Sequence, residues 1–190
     1  MYSFDLDKLT SEQRSMVALW EAHLKAELQD KDAHASCGTM VANPYVNHVA
    51  VLTGEWAGVS WRTNYSRYFI PGQPPDLEIV PISRTVGQER IVDEFVYRCT
   101  HSIPMEWLLP GVPPTGRWME IPVVVIIAFE RGKMKSEQIY WDQASVLVQL
   151  GLLDPTGLPV AGVEVARKAL DPVAVPSNLL MKRTITDELL

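Results

Sequence analysis

Long apolar runs, cysteine and clustered charge are all scarce in this chain of 190 residues. The longest unbroken apolar run, Val123 to Phe129, falls far short of the about 20 residues that a bilayer-spanning helix needs. The first fifteen residues, MYSFDLDKLTSEQRS, carry acids and no apolar centre, which is not the pattern of a secretory signal. A cytoplasmic protein with no membrane partner is therefore expected. The 17 Lys and Arg are scattered singly or in pairs among 23 Asp and Glu, for a net charge of -6. That balance disfavours nucleic acid as a partner, because phosphate binding needs a basic patch. The two cysteines, Cys37 and Cys99, suit a reducing compartment. With His23, His34, His48 and His101 they form no zinc-ligand spacing, so no metal is expected.

What is present is core material. A composition 47% hydrophobic and 21% charged fits one globular domain. Ser11 opens a stretch in which Met16, Leu19, Trp20, His23, Leu24 and Leu28 recur at helical spacing, the pattern of an amphipathic helix. A shorter helical piece at 33–41 leads into NPYVNH, where Pro44 breaks the helix before a short strand near 45–51. A third helix is expected over 61–69, ended by IPGQPPD. The period then changes. Segments 77–85, 91–103, 121–129 and 134–141 read as strands, and Glu130-Arg131-Gly132-Lys133 turns the last two into a hairpin. Helices followed by an antiparallel sheet make an α+β pattern. Residues 1–153 form the expected domain, and the proline-bearing residues 154–190, too apolar for a disordered linker, form an extension packed on it or on a partner subunit.

The last strand runs into a helix through IYWDQASVLVQLGLL. Asp142 is either the N-cap of that helix or a proton-transferring carboxylate, and the two roles are compatible. Strict alternation from Lys133 puts Lys133, Lys135 and Glu137 on one face and Met134, Ser136, Gln138, Tyr140 and Asp142 on the other. The charged set reads as solvated, so Gln138, Tyr140 and Asp142 are expected inside. In the preceding long strand the more apolar odd positions carry Tyr97 and His101 inward. An acid, an imidazole, a phenol and an amide among apolar walls would suit a small-molecule site.

The order of these elements, with NPYVNH at 43–48, PPTGR at 113–117, FERGKMKSEQIYW at 129–141 and the closing YWDQASVLVQLGLL, resembles the SnoaL-like polyketide cyclases over residues 12–153. These belong to the superfamily of nuclear transport factor two, ketosteroid isomerase and limonene-epoxide hydrolase. The resemblance implies a cystatin-like α+β cone of curved antiparallel sheet, closed by N-terminal helices around a deep pocket, in a homodimer. It implies that Asp142 is the general acid/base of a cofactor-independent cyclase, isomerase or lyase acting on a carbonyl-bearing, polyketide-like molecule. Against the epoxide-hydrolase branch, Thr100 stands where an acid would follow Arg98. Gln138 stands where many relatives carry a histidine.

The candidate catalytic residues are Asp142 and His48; the candidate substrate contacts are Tyr45, Asn47, Tyr97, His101, Gln138, Tyr140 and Trp107. Each has a plainer reading: Asp142 as a cap, His48 and His101 as satisfied core histidines, the aromatics as core or interface packing. Trp107 either forms a rim to the pocket or packs the hairpin. The alternative function is a binding or dimerisation module on the same cone, or a hydrolase of the epoxide-hydrolase type.

Overall fold

The computed structural model describes residues 6–56 and 61–181. Helix α1 (Ser11–Leu24) begins at a capping box in which Thr10 and Gln13 exchange side-chain and backbone hydrogen bonds. It continues as a wider π-helical turn, Lys25–Gln29. Helix α2 (Ala33–Gly38) is capped by Asp32, and α3 (Trp61–Asn64) also passes into a π-helical turn, Tyr65–Phe69. Six strands follow or interleave: β1 (Met40–His48), β2 (Thr53–Trp56), β3 (Glu78–Val86), β4 (Arg90–Thr100), β5 (Trp118–Glu130) and β6 (Lys133–Tyr140). Helices α4 (Gln143–Gln149) and α5 (Glu164–Leu170) close the chain.

The strands make one sheet in the order β2-β1-β6-β5-β4-β3. All neighbours are antiparallel except β1 and β6, which run parallel. The sheet is therefore mixed, not purely antiparallel, and β2 is a strand that alternation did not reveal. The α+β class and the helices at the N-terminal end are as expected.

The inner face is built on odd positions of β4 and β5. Phe95 pairs with Val123, Tyr97 with Ile121 and Cys99 with Met119, and all six are buried. Trp20 of α1 packs on this face, and its indole N–H donates to Asp93 at 2.7 Å. Arg84 grips the same carboxylate through two bonds of 2.6 Å and reaches Glu21 at 3.0 Å. Asp93 is fully buried, and such a charge is tolerated only when paired and hydrogen-bonded like this. The triad fixes α1 against β3 and β4, and so fixes where the π-helical turn after α1 delivers its side chains.

Strand β6 departs from alternation at one point. Phe129 of β5 lies opposite Met134, but Ala128 lies opposite Ser136, so one residue is extra on β6. This bulge shifts every following side chain to the other face. Met134, Glu137 and Ile139 are buried, while Tyr140 is 39% exposed. The inward set is thus Met134, Glu137, Ile139 and Trp141.

Beyond Tyr140 the edge of β5 loses its strand partner. Gln149 of α4 takes over, accepting from Glu120 N at 2.9 Å and donating to Glu120 O at 3.0 Å. Helix α5 lies against β5, its Ala166 fully buried, and Ser145 of α4 donates to Gly162 O at 2.8 Å. Residues 182–190 of the expected extension lie outside the described residues.

Candidate functional site

A narrow cavity of about 70 Å³ lies between the helices and the inner sheet face. Its walls are mostly apolar: Trp20 from α1, Phe69, Phe95, Ile121, Val125, Trp107 and Trp141. The polar side chains on the wall are Glu27, His48, Tyr65, Gln73, Tyr97 and Glu137. A wider depression of about 430 Å³ shares Val46, His48, Tyr65, Phe69 and Trp107 with it and adds Thr53, Gly54, Tyr68 and Glu106. This depression is the mouth.

Behind one wall, His23 bridges two carboxyl groups. Its Nε2 is 3.4 Å from Glu27 Oε1 and 3.3 Å from Glu137 Oε1, while Nδ1 lies 2.7 Å from the Thr39 hydroxyl. Tyr65 donates a short hydrogen bond to Glu27 Oε1 and sits 3.2 Å from His23 Nε2. Glu27 and Tyr65 both come from π-helical turns, an irregularity often found at functional sites. Apart from this ion pair with His23, Glu137 Oε1 has no hydrogen-bond partner among the described residues.

The electrostatics follow from burial and neighbours. Burial disfavours the charged His23 ring, but the charges of Glu27 and Glu137 outweigh it and raise the pKa to about 10. His23 is an imidazolium at neutral pH. Burial raises the pKa of Glu27, with the His23 charge opposing. His48 behaves in the reverse way: burial lowers it to about 4, against the pull of Glu137, so its ring is neutral. The Tyr97 phenol is pushed well above 10 by burial and donates to Gln73 Oε1 at 2.9 Å. Among the described residues no group of three or more His, Cys, Asp or Glu is placed to hold a metal ion.

Of the residues singled out from sequence, His48, Tyr97 and Trp107 line the cavity. The others lie elsewhere. Asp142 is exposed and caps α4, accepting from Ala144 N at 2.9 Å and Ser145 N at 3.3 Å; the bulge in β6 turns it out of the inner face. The same shift carries Gln138 and Tyr140 outward, where Asn47 donates to Gln138 Oε1 at 3.3 Å. Tyr45 also shows the outer parity of β1, alternating with buried Val46 and His48. His101 is fully buried but lies past the end of β4, its Nδ1 accepting from Thr115 N at 3.3 Å, outside the cavity lining. Glu27, Glu137, Tyr65 and Trp141 were not anticipated as site residues. One signal was available: an acid, Glu27, one helical turn after a histidine on an apolar stripe. Nothing in the sequence marks the bulge that brings in Glu137.

Comparison with known proteins follows the same fold. The profile of the family described as SnoaL-like polyketide cyclase matches residues 16–150. A crystal structure of a candidate SnoaL-like polyketide cyclase from Jannaschia superposes with a TM-score of 0.59 at 18% identity, covering 80% of this chain and 100% of that one. AclR, a candidate hydroxylase from Streptomyces galilaeus, gives 0.57 at 18% identity over 75% and 88%. An NTF2-like protein from Burkholderia pseudomallei gives 0.55 at 15% identity over 74% and 98%. No curated protein matches. Identities this low carry the fold and not the chemistry.

Proposed function

The chain belongs to the SnoaL-like polyketide cyclase family, and from that premise we propose that it is an acid-base enzyme acting on a small carbonyl compound in the internal cavity. One observation carries the reading: Glu137 presents a buried carboxylate oxygen with no hydrogen bond on the wall of an apolar cavity. An acceptor held there by its ion pair with His23 and by no further hydrogen bond is suited to take a proton from carbon.

Glu137 removes a proton alpha to the substrate carbonyl, and the bonding pair moves onto the carbonyl oxygen. Glu27, the second acid on the cavity wall, is assigned the return of a proton to that oxygen, which leaves an enol. Two carboxyl groups in unlike environments thereby divide the roles of base and acid. The enol carbon then bonds to a second carbonyl of the same molecule, closing a ring, or is reprotonated at another carbon, giving an isomer. His23 does not line the cavity. It is a positioning residue, whose charge between the two carboxyl groups holds both in place. This chain supplies both the proton acceptor and the proton donor, so the chemistry calls for neither metal nor organic cofactor. The partner is a small molecule, and the outer sheet face is proposed as the surface of a homodimer.

The test is exchange of alpha protons into heavy water, followed by NMR, for a panel of cyclic ketones and 1,3-diketones. The wild-type chain should accelerate exchange of at least one, and Glu137→Gln should reduce that rate by about 10²–10⁴-fold. Exchange that survives Glu137→Gln unchanged, or a wild-type rate no faster than buffer across the panel, would reject the assignment and favour a binding module.

A further inference from the structure

His48 stands where the cavity meets its mouth, lining both. Three rings surround it: Phe69 at 5.6 Å, Trp107 at 5.3 Å and Trp141 at 6.0 Å between centroids. None of them serves it as a donor, because the Trp107 indole N–H goes to Gly72 O at 3.3 Å and that of Trp141 to Gln143 Oε1 at 2.6 Å. His48 Nδ1 is left buried without a hydrogen-bond partner among the described residues. A buried polar atom in that state loses its hydration without replacement, so an unpaired one on a cavity wall calls for an explanation.

The sense of the missing bond can be assigned. A neutral imidazole has one N–H and one lone pair. Thr53 lies directly opposite His48 across β1 and β2, and its backbone favours the charged ring, as a carbonyl facing an N–H does. Nδ1 is the nitrogen without a partner, so we assign the N–H to Nε2 and the lone pair to Nδ1. The cavity wall therefore holds two acceptors that no hydrogen bond satisfies, His48 Nδ1 and Glu137 Oε1, the second held only by its ion pair with His23. Its donors are already engaged: Tyr65 with Glu27 and Tyr97 with Gln73. No Lys or Arg lies among the described residues lining the cavity or the mouth, whereas Glu27, Glu137 and Glu106 do.

We infer that His48 sets substrate choice: its Nδ1 accepts a hydrogen bond from a hydroxyl or protonated amine that the substrate carries besides its carbonyl, and the acidic lining rejects an anionic group. This rests on the reading that the cavity holds the substrate, and it adds the functional group that must sit apart from the reacting carbon. Phe69, Trp107 and Trp141 fix the ring of His48, so the acceptor is preorganised and little entropy is lost when the donor arrives.

Binding of five probes to the full chain, measured by calorimetry and ligand-observed NMR, tests this: cyclohexanone and its 4-hydroxy, 4-amino, 4-methoxy and 4-carboxylate derivatives. The hydroxy or amino compound should bind about tenfold tighter than the methoxy compound, the worth of one net hydrogen bond, and the carboxylate should bind weakest. Which of the two leads tells whether a hydroxyl or an ammonium is the natural donor. His48→Phe should erase the preference while keeping the ring stack, and His48→Asn, whose amide oxygen can stand near Nδ1, should recover part of it. Equal binding of hydroxy and methoxy compounds, a preference that survives His48→Phe, tight carboxylate binding, or no binding of any probe would each overturn the inference. The readout is affinity, so proton exchange lost in Glu137→Gln would still support the acid-base reading if this one failed.

Discussion

The two faces of β6 carry the same kinds of residue to opposite ends. On the inner face Glu137 is 5% exposed, held by a buried imidazolium and facing an apolar cavity. On the outer side Asp142 ends the strand in solvent and holds the first turn of α4. Gln138 and Asn47 pair with one another on that side at 3.3 Å. A carboxylate in water beside free helix N–H groups is a cap; a carboxylate enclosed with a histidine and a second acid is the one we propose as the base. Environment, not residue type, separates them.

The sharpest way to break this contrast is to remove the bulge. Deleting Lys135 should restore strict alternation along β6, driving Gln138 and Tyr140 inward and Glu137 and Ile139 out. Loss of the cooperative thermal transition is expected, visible by circular dichroism. A deletion variant melting like the wild type would show that the bulge does not set the face.

Next in size is the imidazolium. His23→Gln removes a buried charge between two acids and should destabilise the fold by about 3–5 kcal/mol in denaturant titration. Retention of wild-type stability would contradict the ion-pair network.

Titration of stability with pH sharpens the same point. The His23 pKa is about 10 in the fold against about 6.5 unfolded. The folded state therefore holds a proton that the unfolded state has released, and this contribution is complete below about 6.5 and lost as pH rises through about 10. The raised pKa of Glu27 acts in the same direction. The His48 pKa of about 4 does the opposite: below about 6.5 the unfolded state takes up the proton that the fold resists, so stability declines as pH falls toward 4. A maximum near pH 6.5 is expected in urea melts. Stability that rises steadily from pH 7 to pH 10 would refute the assigned charge of His23.

The smallest effect belongs to the outer end. Asp142→Ala should cost about 1 kcal/mol through loss of the cap and leave probe affinity at the cavity unchanged. A large loss of ligand binding in a stable Asp142→Ala protein would return that residue to the site.

Much of the fold is written in local patterns. The stripe from Met16 to Leu28, the alternation over 91–99 and the hairpin at Arg131 and Gly132, both in the left-handed region with φ 51° and 71°, all agree with the elements found. Pro44 did not begin a strand but lies within β1, which is irregular there: its register with β6 shifts between Met40 and Tyr45. The site was legible only in part. Tyr97 is found by parity in a regular strand, and His48 and Trp107 by residue type beside turn-marked segments, whereas the carboxylate was assigned to Asp142 because alternation was carried unbroken through β6.

Local patterns carried the hydrophobic periods and the Asp142 cap, and hence the α+β class and the apolar lining of an inner face; each depends on residues within a few positions of one another. Which face of β6 turns inward, and which acids meet His23, was settled by packing between distant segments. The bulge is selected by the pairing of β6 with β5, through the packing of Met134 and Ile139 into a core made by distant segments. The meeting of His23, Glu27, Tyr65 and Glu137 joins positions up to 114 apart along the chain (137 − 23), a separation across which no local propensity acts.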